Sequence, residues 1–147
     1  MAQIINPAAR LNELTNGIDF AMLTTVRTDG SLHSCPMATQ AADATGAIWF
    51  FSSNHTEKVE AIKTDPRVNL AYSDASGQRY VSVSGNCELV RDHAKAKELW
   101  NPAYKAWFPK GLDDPNLILL RVVILDAEYW DSAQGRMLQL AGFTPQP

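Results

Sequence analysis

Short apolar stretches separated by turn-forming residues run along most of the chain. The stretch YVSVSG alternates apolar and polar positions, as a strand with one buried face does. The stretch IWFF is apolar throughout, which favours a strand covered on both faces. Strands are predicted at residues 20–26, 32–40, 47–52, 68–73, 80–90 and 117–129, with 137–140 as a candidate for a last strand.

Helical periodicity is confined to segments between the strands. Asn54 and Asp92 are suitable N-caps for two of these helices, and Asp65-Pro66 ends the first of the two. Gly17 is placed to end a helix near the N-terminus. Helices are predicted at residues 8–16, 55–64 and 93–100, with a shorter helical piece at 101–108.

The order of these elements predicts a mainly β fold. Most consecutive strands are joined by tight turns such as Thr28-Asp29-Gly30, which connect antiparallel neighbours, whereas parallel strands need long crossovers. Gly85 inside the long strand 80–90 indicates a bulge or a bend. We therefore expect an antiparallel barrel with helical caps, closed or nearly closed. The sequence has no GxGxxG motif and no P-loop, so it gives no support to those modes of nucleotide binding.

Composition narrows the function classes. A chain of 147 residues is expected to form one domain, residues 1–147, and a net charge of −3 gives no footprint for nucleic acid. The sequence has no apolar run of membrane-spanning length and no pattern of a secretory signal at residues 1–14, so a cytoplasmic protein is expected. Cys35 and Cys87 lie far apart without metal-ligand spacing, so no metal site is predicted.

The junction between the strand 47–52 and the following helix carries candidate binding chemistry. It places Ser52, Ser53, Thr56 and Lys58 around the start of a helix. Free backbone N–H groups and the positive end of the helix dipole favour an anion at such a position. Hydroxyls and a lysine beside them indicate a phosphate site, and a phosphate site on a small barrel suggests a phosphorylated cofactor.

Several motifs extend this interpretation to a family. They are MLTTV-x-x-DG-x-LHS-x-PM, WFFSS followed by EK, DPRVNLAYSD, YVSVSG, ELWNPAYKAWFPKGLDDPNLILLRV and AEYWDS. Together they resemble the pyridoxamine 5′-phosphate oxidase-like, FMN-binding split-barrel family, and within it the general stress protein 26 group. The resemblance covers nearly the whole chain, as far as Gly135.

The resemblance implies a six-stranded split β-barrel that pairs as a homodimer, with two FMN molecules in grooves between the subunits. The strand Ser34-Cys35-Pro36-Met37-Ala38-Thr39 would run beside the isoalloxazine and the ribityl chain. Phe51, Ser52, Ser53 and Lys58 would meet the ribityl phosphate. Trp100, Trp107 and Trp130 lie in segments that would flank the cofactor, and Trp107 and Trp130 have a dimer-packing role as an equal alternative.

One position departs from the family pattern. Many members have SRPM where this chain has Ser34-Cys35-Pro36-Met37, so a bidentate, permanently charged contact to the cofactor is missing. The resemblance implies an FMN-binding protein, with FAD as an alternative cofactor, that acts as a flavin-dependent oxidoreductase on a small molecule with reduced nicotinamide as a candidate donor. Two alternatives stay open: a non-enzymatic flavin-binding, storage or sensing protein, and a split-barrel module that has lost FMN.

Overall fold

The computed structural model describes residues 6–143. Residues 1–5, part of the segment in which no secretory signal was expected, lie outside the described residues. Within residues 6–143, none of the helices is long and apolar enough to cross a membrane.

Seven strands form one antiparallel sheet, and three α-helices lie between them. The strands are β1 (Phe20–Val26), β2 (Leu32–Ala38), β3 (Ala47–Ser53), β4 (Arg67–Asp74), β5 (Arg79–Val90), β6 (Leu117–Asp131) and β7 (Arg136–Gln139). The helices are α1 (Pro7–Thr15), α2 (Glu57–Thr64) and α3 (His93–Leu99), followed by two 3₁₀ helices at Pro102–Ala106 and Gly111–Asp113.

The order of the strands explains why the barrel is split. Hydrogen bonding runs β2-β1-β4-β5-β6-β3, with β7 on β6, so β2 and β3 are the two ends of the path and do not pair with each other. The mainly β fold expected from the sequence is confirmed. The difference from six strands is the short β7, which pairs with the C-terminal end of β6, where 137–140 was a candidate.

Gly85 sits at a bulge, which is one of the two alternatives, bulge or bend, that the sequence indicated. The register between β5 and β6 shifts between Ser84 and Gly85. A Cβ atom on Gly85 would lie 2.2 Å from the carbonyl oxygen of Val123, so only glycine fits this close approach of two backbones. The bulge adds local twist to the two longest strands, which helps the sheet to curl.

The core has two parts. The larger cluster fills the barrel and includes Leu23, Phe50, Leu70 and Val83, each at most 1% exposed. The smaller cluster lies outside the barrel wall, where Phe51, Ala96, Tyr104 and Leu119 hold α3 and the 3₁₀ segment against β3 and β6. This second cluster places an aromatic segment beside the open seam between β2 and β3.

The N-cap predicted for α2 is wrong. Thr56, not Asn54, occupies the capping position, with an extended backbone at φ −106° and ψ 157°. Asn54 instead donates its backbone N–H to the carbonyl of Asn116 at 2.7 Å, and the His55 ring lies 3.1 Å from the Asn116 side-chain oxygen. These tertiary bonds hold residues 54–55 as a turn against the start of β6, so the helix begins later.

The second strand also ends earlier than predicted, at Ala38 instead of residue 40. The N–H of Thr39 donates to the carbonyl of Asp19 at 2.9 Å, and the chain then turns away from β1. Gln40 therefore lies in the loop between β2 and β3.

Candidate functional site

A groove of about 330 Å³ lies at the seam between the unpaired strands β2 and β3. This volume falls within the usual range of small-molecule sites, roughly 300–1,000 Å³. Its walls come from β2, from the β3–α2 junction, from the segment after α3 and from the first residue of β1. The lining residues are Phe20, Pro36, Met37, Ala38, Phe51, Ser52, Ser53, Thr56, Lys58, Tyr104, Trp107 and Phe108.

The β3–α2 junction supplies the polar side of the groove. The Ser52 hydroxyl, on a residue only 2% exposed, donates to the carbonyl of Ser53 at 3.2 Å and lies 3.5 Å from the Thr56 hydroxyl. Thr56 donates to the same carbonyl at 3.2 Å, and its side chain makes no capping bond to α2. The N–H groups in the first turn of α2 are thus left without a side-chain acceptor at the N-cap.

Among the described residues that line the groove, Lys58 is the only one with a charged side chain. Two glutamates in the same first helical turn pair with other cations. Glu57 Oε1 lies 2.6 Å from Arg27 Nε in an ion pair without hydrogen-bond alignment, and Glu60 lies 3.2 Å from Lys63. These exposed pairs offset the acidic charge near the helix start, so the polar side of the groove favours an anion.

An aromatic segment forms the opposite side. We name residues 100–108, between α3 and the second 3₁₀ helix, the aromatic strap. The Phe51 ring packs against Trp100 and Tyr104 with centroids 5.4 Å away in each case. Trp107, 53% exposed, meets Phe20 edge-to-face at 5.9 Å. The strap therefore reaches from the second core cluster to the outer face of β1.

Eight of the residues predicted from the sequence come together in this groove: Pro36, Met37, Phe51, Ser52, Ser53, Thr56, Lys58 and Trp107. Ala38 of the same predicted strand also lines it. Their contact with a ligand stays a prediction. The structure brings these residues, which are distant in the sequence, to the lining of a single groove.

The other predicted residues lie elsewhere. Ser34 is exposed on β2, where its hydroxyl lies 2.6 Å from that of Thr24. Cys35 is half-buried and packs against the barrel core. Trp100 packs behind the groove against Phe51 and Tyr104, and Trp130 lies near the end of β6, opposite Met137.

Thr39 also lies outside the lining, at the end of the β2 wall. Its hydroxyl lies 3.2 Å from that of Tyr72, which is 3% exposed. Burial raises the pKa of Tyr72 to about 12, and the hydrogen bond with Thr39 offsets only part of this. Thr39 therefore forms a hydrogen bond with a buried, neutral tyrosine just after the end of β2.

Three lining residues were missing from the predicted site: Phe20, Tyr104 and Phe108. A signal for two of them exists in the sequence. Trp100, Tyr104, Trp107 and Phe108 have the i, i+4, i+7, i+8 spacing of residues that share a helical face. Phe20 carries no such signal, because its place depends on the packing of Trp107.

The outer face of the sheet carries exposed apolar side chains. Among the described residues, seven large hydrophobic side chains are exposed, and the register of the strands puts six of them on this one face. They are Phe20, Met22, Leu32, Tyr80, Trp130 and Met137. A polar row crosses the same face, where the Asn69 amide donates to Ser82 at 3.0 Å and to Ser84 at 3.1 Å.

Comparison with known proteins places this geometry in a family. Protein bli-3 of Neurospora crassa is 29% identical over 133 residues, covering 82% of this chain. The chain spans 64% of the length of that curated relative.

Two solved structures from Xanthomonas share the fold at higher identity. A general stress family protein of Xanthomonas campestris pv. campestris is 31% identical, with a TM-score of 0.72 and coverage of 100% of this chain and 99% of that one. The general stress FMN/FAD binding protein of Xanthomonas citri is 30% identical, with a TM-score of 0.71 and coverage of 94% and 95%. The sequence profile of the family described as pyridoxamine 5′-phosphate oxidase like matches residues 6–144, and the chain belongs to this family, as its motifs indicated.

Proposed function

We propose that this protein binds FMN in the groove between β2 and β3 and acts as a flavin-dependent oxidoreductase on a small molecule. The observation that carries the proposal is the two-sided chemistry of the groove. Hydroxyls, a lysine and a helix start lie on one side, and aromatic rings lie on the other. A flavin mononucleotide has the same division, with a phosphate at one end and a planar aromatic ring system at the other.

The residues at the β3–α2 junction fit a phosphate. The hydroxyls of Ser52 and Thr56 both donate to one carbonyl, and rotation about the C–O bond can turn their protons toward a stronger, charged acceptor. Lys58 supplies a point charge, and the first turn of α2 supplies N–H groups. FMN ends in a phosphate monoester that can take all of these donors, so we propose FMN over FAD, which has a diphosphate at this position.

The flavin, when bound, supplies the hydride or electron transfer. The chain's own part is to bind, orient and shield. Among the described lining residues there is no Asp, Glu, His or Cys, so we propose that protons exchange with solvent or substrate. Reduced nicotinamide is the proposed donor, and the proposed location is the cytoplasm.

We further propose that two chains pair through the outer face of the sheet. Its six exposed apolar residues would be covered by a second copy, and the seventh exposed apolar residue, Trp107, touches Phe20 at the edge of this face. Because Phe20 and Trp107 also line the groove, a second copy on this face would lie beside the cofactor and help to enclose it.

The general stress FMN/FAD binding protein of Xanthomonas citri supports flavin binding for this chain.

An FMN titration followed by absorbance and flavin fluorescence tests the proposal. Lys58→Ala removes a charge-assisted contact worth roughly 1.5–3 kcal/mol, so FMN should bind about 10–100-fold more weakly. Lys97→Ala is the matched control, because Lys97 is exposed on α3 and does not line the groove. Equal FMN affinity in Lys58→Ala and the wild type would overturn the anchoring role. No binding by the wild type, and no rise in its melting temperature with FMN, would favour the cofactor-free alternative.

A non-enzymatic flavin-binding role is the second candidate. It is favoured by the lining itself, which among the described residues has no Asp, Glu, His or Cys. Stopped-flow reduction of the FMN-bound protein by NADH or NADPH separates the two roles. Reduction followed by turnover with an electron acceptor supports the oxidoreductase, whereas a flavin that neither donor reduces supports the binding protein.

A further inference from the structure

Hydrogen bonds attach the first part of the loop after β2, residues 39–42, to its neighbours at two points. The Thr39 N–H donates to the carbonyl of Asp19 at 2.9 Å. Three residues later, the Asn12 side chain forms two bonds with Ala42, donating to its carbonyl at 3.0 Å and accepting from its N–H at 2.8 Å. Gln40 lies between these two attachments, so its side chain projects from a fixed backbone.

The Gln40 amide reaches across to the strap. Its Nε2 donates to the carbonyl of Leu99 and to the hydroxyl of Tyr104, both at 2.8 Å. A carbonyl can only accept, so the bond to Leu99 requires the NH₂ group of the amide on this side. Leu99 is the last residue of α3, where carbonyls lack partners within the helix. One amide therefore donates both to a carbonyl at the end of α3 and to a hydroxyl in the middle of the strap.

Tyr104 transmits this attachment to the groove. Its carbonyl accepts the N–H groups of Trp107 at 3.0 Å and of Phe108 at 2.9 Å, and both of these residues line the groove. Its ring is buried between Phe51 and Trp100, with centroids at 5.4 and 5.8 Å. The position of Tyr104 thus determines the position of Trp107 and Phe108 on the aromatic side of the groove.

We infer that Gln40 is a positioning residue that sets the width of the groove. It joins the wall that ends at Ala38 on β2 to the wall formed by Tyr104, Trp107 and Phe108, and it does not line the groove itself. Without this link, the strap keeps its packing on the second core cluster but loses its polar tie to the opposite wall. The consequence for ligand binding rests on the proposed flavin site, whereas the link between the two walls does not.

Hydrogen–deuterium exchange of the protein without added flavin tests the link. Gln40→Leu keeps a side chain of similar size without donors, and Gln40→Glu places an acceptor against the Leu99 carbonyl. In both variants the amides of residues 99–108 should exchange about tenfold faster, while those of β5 keep their protection. Gln134→Leu, in an exposed turn far along the chain, is the matched control and should leave the strap unchanged. Wild-type protection of residues 99–108 in a folded Gln40→Leu protein would overturn the inference.

FMN dissociation supplies the second readout. Well below the melting temperature, a merely destabilised but folded protein should release FMN at the wild-type rate, whereas a loosened strap should release it about tenfold faster. An unchanged dissociation rate in Gln40→Leu contradicts the positioning role. If the wild type binds no FMN, the proposed function fails, and the exchange experiment alone decides whether Gln40 holds the strap.

Discussion

At the scale of single residues, Asp43 shows how one side chain organises a loop. In the turn before β3, its carboxylate accepts bonds from the Thr45 hydroxyl, from the N–H groups of Thr45 and Ala47, and from the Trp49 indole at 2.9 Å. Partial burial alone would raise its pKa, but these hydrogen bonds outweigh it and lower the pKa to about 2.

This lowered pKa predicts an acid-dependent loss of stability. The carboxylate contributes to the free energy of unfolding above the ordinary value of 3.8, and the contribution is lost as the pH falls from 3.8 through about 2. We expect the melting temperature of the wild type to fall more steeply in this window than that of Asp43→Asn, which cannot titrate there. Circular dichroism melts between pH 5 and pH 2 make the comparison, and parallel curves would contradict the assignment.

At the scale of elements, the pairing of β5 with β6 depends on Gly85. Any side chain there meets the Val123 carbonyl oxygen, a backbone atom that cannot rotate away. Gly85→Ala should therefore lower the free energy of unfolding by about 1–3 kcal/mol, as overpacking of a core does. Urea unfolding measures this directly.

The neighbouring residue provides the control for this prediction. Asn86 is exposed on the same strand and lies opposite Val123, the β6 residue next to the partner of Gly85, so Asn86→Ala should stay within about 0.5 kcal/mol of the wild type. If both variants lose the same stability, strand propensity and not the close backbone approach is the cause.

At the scale of the whole molecule, the outer face of the sheet is the surface on which a single chain leaves large apolar side chains exposed to solvent. Met22, 41% exposed, lies on this face between Pro36 of β2 and Ala71 of β4. Met22→Lys would place a charge in the middle of the proposed contact, where a second copy would have to bury it. We expect the variant to be monomeric at concentrations at which the wild type has the mass of two chains in sedimentation.

Ala94→Lys is the control for the pairing surface, because Ala94 is exposed on α3, outside the sheet. It should leave the mass of two chains unchanged. A monomeric wild type, or a Met22→Lys protein that still pairs, would exclude this face as the contact.

Much of the candidate site follows from local sequence. The hydroxyls and Lys58 at the start of α2 were predictable because neighbours along the chain stay neighbours at a strand–helix junction. The β2 wall around Pro36 and Met37 was predicted from the family resemblance of its motif. Cys35 shows the limit of that reasoning: its side chain packs against the barrel core and does not line the groove, although its neighbours Pro36 and Met37 do.

The pattern of apolar residues and turns determined the strands, the helices, the bulge at Gly85 and the antiparallel fold, because these depend on periodicity and on backbone conformations that only some residues adopt. The tertiary structure alone decided which elements stand beside the seam. The later start of α2, the meeting of Phe20 with Trp107 and the reach of Gln40 to Leu99 and Tyr104 all depend on contacts between residues far apart in the chain. Such contacts arise from packing and from the pairing of polar groups across elements, which leave no local signal in the sequence.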